Sequence, residues 1–112
     1  MDRPAPPVDL AALLAAATGP GPVWSLETDD LDVNLLRFDG GTGVPEHVNA
    51  EVDVFGVVVA GEGVLEVDGA AFPLLPGRAF LVPKGARRAI RSAGGPFAYV
   101  TCHRRRGRLW PS

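Results

Sequence analysis

Cysteine is all but missing from this chain of 112 residues: Cys102 stands alone, which excludes an intrachain disulfide. Imidazoles are scarce too, because His47 and His103 are the only histidines. No basic-then-apolar leader begins the sequence and no apolar run approaches the length of a membrane span, so the expectation is a cytoplasmic protein with no membrane association. The length fits one domain that buries about two thirds of the surface its unfolded form would expose, so it needs no covalent staple. The net charge of -2 conceals a strong asymmetry. Every acidic residue lies at or before Asp68, and all basic residues except Arg3 and Arg37 lie at or after Arg78. Each half alone would repel itself, whereas strands from both halves interleaved in the same sheets would cancel the charge locally.

What is present in quantity is turn punctuation. Residues 1–22 read as a lead and a helix, and residues 23–112 as a β domain. Met1 to Pro7 is a proline-rich segment expected to be poorly ordered. Val8 to Ala17 is the one convincing helix: Asp9 suits an N-cap, Leu10, Leu13, Leu14 and Ala17 follow helical spacing, and Gly19–Pro20 stops it. With alanines elsewhere and no charged outer face, it should pack on the β domain or against a second chain. Strands are expected over Val23–Leu26, Leu31–Phe38, Val52–Ala60, Val64–Val67, Ala79–Val82, Arg87–Arg91 and Phe97–His103. A primed hairpin turn is expected at Asp68–Gly69. Short strands with turn signals about every ten residues argue a β-sandwich or barrel.

Two spaced motifs dominate the middle of the chain. The first runs Gly41, five residues, His47-Val48-Asn49, three residues, Asp53, then a strand to Gly61; the second runs Gly77, five residues, Pro83-Lys84-Gly85, two residues, Arg88. In these spacings the chain resembles the cupin superfamily, with one residue inserted before Gly61 and aspartate in place of glutamate. The resemblance covers roughly the last two thirds of the chain. It implies an all-β fold, a cupin-type jelly-roll β-barrel with one short N-terminal α-helix, and a homodimer. It also implies a metal held by two histidines and a glutamate of the first motif and a histidine of the second. Here those positions hold His47, Asn49, Asp53 and Arg88. A guanidinium cannot ligate a cation and an amide oxygen is a weak ligand for imidazole-loving metals, so no metal cofactor is expected.

If His47 to Asp53 is extended, then His47, Asn49, Glu51 and Asp53 share one face and Val48, Ala50, Val52 and Val54 the other. The resemblance turns the polar face inward, where two carboxylates need a cation, and Arg88 is expected to pair with Asp53 or Glu51. The alternative is a solvated outer face with Arg88 reaching water. Tyr99 could offer its phenol if the face of Phe97, Thr101 and His103 is the inner one. Cys102, on the opposite face from His103, is expected to be a small buried apolar residue.

Two function classes follow. One is a binding module for a small organic anion, with Arg88 as its cation, His47, Asn49 and Tyr99 as polar anchors, and Glu51 and Asp53 beside them. The other is a metal-dependent enzyme of dioxygenase or isomerase type, with a divalent transition metal on His47, Asp53 or Glu51, and His103. The run His103 to Arg108 has four arginines but no interleaved aromatic, so nucleic acid is not an expected partner. Those arginines should pair with the acidic half, while Leu109, Trp110 and Pro111 pack on an edge or a partner chain.

Overall fold

A computed structural model describes residues 6–106. The expected lead before Pro6 and the packing of Leu109 to Pro111 therefore lie outside the described residues. One helix, α1 (Leu10–Ala16), precedes nine strands: β1 (Gly21–Glu27), β2 (Leu31–Phe38), β3 (Gly43–Val48), β4 (Val54–Ala60), β5 (Gly63–Val67), β6 (Ala70–Leu74), β7 (Ala79–Val82), β8 (Arg87–Ser92) and β9 (Phe97–Arg104). Asp9 caps α1, its Oδ1 accepting from the Ala12 amide at 3.1 Å, and the helix lies against β1 without burying any residue fully. No helix among the described residues is long and apolar enough to cross a membrane.

The strands form two antiparallel sheets, ordered β1-β2-β9-β4-β7 and β3-β8-β5-β6. These orders mix the acidic and basic halves as the charge pattern required. Arg105 meets Glu27 at 3.8 Å, Arg91 meets Glu66 at 3.0 Å and Arg87 meets Glu46 at 3.5 Å, each a pair between the halves.

The expected closed barrel is not formed. Closure would require strand pairing between the edges of the two sheets, yet β1 and β7 end one sheet and β3 and β6 end the other, with no ladder joining them. The sheets are held face to face by side chains instead, an arrangement compatible with a jelly roll. Phe38, Val58, Leu65, Leu74, Val82, Ile90, Phe97 and Tyr99 fill the space between them. Tyr99 sits among three rings, with centroid distances of 5.2 Å to Phe97, 6.1 Å to Phe80 and 6.2 Å to Phe38.

Turn chemistry follows the sequence closely. Asp68 and Gly69 both have positive φ, 48° and 86°, as a type I′ hairpin requires. That hairpin leads into β6, which has no counterpart among the expected strands because Pro73 interrupts its pattern; as an edge strand it tolerates a missing amide donor. Cys102 lies on the outer face of its sheet, in register between Val33 and Phe55, and is only partly buried. The same outer face leaves the cross-strand pair Phe55 and Leu81 exposed.

Gly61 is the tightest point of the crossover from one sheet to the other. Its φ is 72°, and a Cβ there would run into the backbone carbonyl of Pro96. The left-handed backbone alone costs a non-glycine residue about 1–3 kcal/mol. Gly61→Ala is therefore expected to lower stability by at least about 2 kcal/mol in chemical denaturation; a variant as stable as the parent would contradict this account of the crossover.

Candidate functional site

The motif residues are assembled by strand register. β3 and β8 run antiparallel with His47 opposite Arg88, and further along the same pair Val44 lies opposite Ile90. Across the gap, β9 turns Tyr99, Thr101 and His103 toward them, because alternate residues of a strand face the same side. The result is a cavity of about 220 Å³ between the sheets. Its apolar lining is made by Leu36, Val54, Leu65, Phe80, Val82 and Ile90 with the ring of Tyr99. Its polar lining comes from His47, Asn49, Arg88, Thr101, His103 and Arg106.

Arg88 is the buried cation of the site, with 7% of its surface exposed. Its Nε donates to the Ala86 carbonyl at 3.0 Å and its Nη2 to the Pro83 carbonyl at 3.3 Å. Those two bonds fix the fork and leave further N–H groups for the cavity. Desolvation lowers its pKa from the usual arginine value, and repulsion from Arg106 lowers it further. A guanidinium stays charged under such pressure. Among the lining residues there is no carboxylate to offset it.

Both histidines are oriented by backbone carbonyls. Nδ1 of His47 lies 2.9 Å from the Pro45 carbonyl and Nδ1 of His103 lies 2.9 Å from the Arg104 carbonyl. A carbonyl can only accept, so each Nδ1 carries the proton and each Nε2 is the nitrogen left for other partners. His103 also has Asp32 behind it, Oδ2 standing 4.0 Å from Nδ1. Asn49 is buried, and its Oδ1 accepts from the amides of Glu51 at 2.9 Å and Val52 at 3.3 Å. That leaves its amide NH₂ as a donor.

Glu51 and Asp53 are exposed and do not line this cavity. The expected pairing of Arg88 with either one is not formed. The physical reason is local: β3 ends at Val48, the Asn49 side chain turns the backbone, and β4 starts only at Val54, so strand alternation does not carry from His47 to Asp53. Asp53 accepts instead from the Lys84 amide at 2.8 Å, fastening its loop to the Pro83–Gly85 turn. The Glu51 carbonyl accepts from Arg104 Nη2 at 3.1 Å. Arg106 was not among the expected site residues. The strand ends at Arg104, the Arg105 amide donates to the Asp30 carbonyl and its guanidinium to the Thr28 carbonyl, and Arg106 is left facing the cavity, a deflection that strand alternation does not foretell.

The sequence model of the cupin domain matches residues 34–102. The chain belongs to the cupin family. Solved cupin-like structures agree in fold. KdgF from a Halomonas species is 25% identical, with a TM-score of 0.69 over 74% of this chain and 76% of that one. Protein NMB1881 from Neisseria meningitidis is 20% identical, with a TM-score of 0.76 over 89% and 100%. BH2720 from Bacillus halodurans is 19% identical, with a TM-score of 0.77 over 97% and 88%. The last two show the fold alone, and no curated protein matches the sequence.

The residues present do not fit the metal implied by the family. Arg88 stands at a ligand position as a fixed cation, Asn49 has its oxygen engaged by two amides, and Asp53 is turned to the Lys84 amide. The alternative set of His47, Asp53 and His103 is not brought together, since no three histidine, cysteine or acidic side chains converge among the described residues. Two arginines in the lining would also oppose a divalent cation.

Tyr99 is 2% exposed, and burial pushes its phenol well above its ordinary value. It is therefore a neutral hydrogen-bond donor in this cupin. Because the folded phenol keeps its proton while the unfolded one ionises near pH 10, stability present below that pH falls as pH rises past it. Tyr99 is the sole tyrosine, so phenolate absorbance reports it alone. In an alkaline titration the phenolate signal should emerge only together with loss of the sheet circular dichroism. A phenolate appearing near pH 10 with the fold intact would contradict this burial.

Proposed function

We propose that this cupin binds a small organic anion between its sheets, with Arg88 as the principal cation and no metal as the binding centre. The observation that carries the reading is the character of the cavity lining: two arginines and two histidines, with no carboxylate among them. A guanidinium held by two carbonyls in a largely desolvated position is organised before a ligand arrives, so little ordering is lost on binding. The planar fork suits a carboxylate through paired N–H···O bonds. Asn49, Thr101 and Tyr99 surround the anion with neutral donors beside His47, while Leu65, Phe80 and Ile90 contact a carbon body.

An anion in this cavity also relieves the desolvated charge of Arg88, so binding and stability are linked. Small carboxylates should raise the melting temperature of the wild-type protein and leave Arg88→Gln unmoved. In calorimetry the same substitution should weaken binding at least about 30-fold, since removing one partner of a buried charge pair costs about 2–5 kcal/mol. Wild-type affinity should be the same before and after chelator treatment. Binding that survives Arg88→Gln, or that vanishes with the chelator, would refute the reading.

A further inference from the structure

Arg106 gives the cavity a second fixed cation, and nothing in either motif accounts for it. It lies two residues past the end of β9, beside the strand that supplies Tyr99, Thr101 and His103. Arg104 and Arg105, its neighbours in the run, are engaged elsewhere: Arg104 Nη2 donates to the Glu51 carbonyl, and Arg105 donates to Thr28 and pairs with Glu27. Arg106 forms no ion pair among the described residues, and it is close enough to Arg88 to repel it.

Two like charges facing one largely apolar space raise the energy of the empty site. An anion with two acid groups can meet both cations at once, which a single acid group cannot do at separate anchor points. The space is also small. Its 220 Å³ lies below the roughly 300–1,000 Å³ of a pocket for a drug-sized molecule. The two cations come from different sheets, Arg88 from β8 and Arg106 from beyond β9, so the lining offers two separate anchor points with apolar side chains beside them.

We infer that the ligand class is a short dicarboxylate, one carboxylate on the fixed fork of Arg88 and the other on Arg106. This rests on the anion-binding reading above and goes beyond it in assigning the second charge. Arg106 then acts as the selectivity residue: it favours a second acid group over a methyl end, while Arg88 supplies the affinity common to both ligand types. Because Arg106 is exposed and lies outside the strands, changing it leaves the folded sheets intact.

The test is a matched series measured by calorimetry on the full chain: succinate, glutarate and adipate against butyrate, valerate and hexanoate. The best dicarboxylate should bind wild-type protein at least tenfold more tightly than the monocarboxylate of equal carbon number. Arg106→Gln should abolish that preference, weakening the dicarboxylates at least tenfold more than the monocarboxylates, and Arg88→Gln should lose both series. Equal wild-type affinity for the two series, or a preference that persists in Arg106→Gln, overturns the dicarboxylate assignment and leaves the anion reading standing. If neither series binds the wild-type protein, the anion reading itself falls, and this inference with it.

Discussion

The chemistry of the molecule depends on one buried guanidinium held by backbone oxygen. Arg88 is nearly removed from water and rests on the carbonyls of Pro83 and Ala86, within the turn that precedes its own strand. Carbonyl dipoles compensate a charge only partly, which leaves an electropositive point on the inner face of β8. That turn is itself clamped from the first motif: the Asn49 carbonyl accepts from the Gly85 amide at 2.7 Å, and Asp53 accepts from the Lys84 amide. The aspartate nearest in sequence logic to neutralising Arg88 is thus engaged in positioning it. The two motifs, 36 residues apart from Gly41 to Gly77, act as one mechanical unit.

The sheets supply the rest of the constraint. β9 lies inside its sheet between β2 and β4, so the residues it turns inward are fixed from both sides. Phe97 and Tyr99 are locked into the aromatic packing, and Thr101 and His103 continue the same row toward the cavity. The segregation of acidic and basic residues into the two halves of the chain, which first pointed to interleaving, is offset in pairs such as Arg91 with Glu66 on adjacent strands. At the surface such a pair contributes little stability. Its value lies in removing the self-repulsion that either half would suffer alone.

Most of the fold was legible because glycine, proline and alternating valines mark strand ends directly. β2 and β7 fall at the expected bounds, and Asp9 caps the helix as its sequence context suggested. What escaped had specific causes. β6 carries a proline inside an edge strand, where the usual penalty is waived. Barrel closure is a matter of pairing between distant edges, to which a linear pattern is blind. The row His47, Asn49, Glu51, Asp53 was legible only as an alternation, and a single side chain, Asn49, ends that alternation by capturing two amides. Arg106 reaches the cavity because the Arg105 amide and guanidinium bind the Thr28 to Asp30 turn, a long-range bond that redirects the chain.

The ladder between β2 and β9 stops with Leu31 opposite Arg104. Everything before that rung is shared between neighbouring strands, so a substitution there must satisfy several partners at once. Arg106, two residues past it, answers to the cavity with far less restraint. Variation in what relatives of this chain prefer to hold should therefore accumulate in the few residues just past the final rung, where chemical novelty can arise without disturbing the scaffold that presents it.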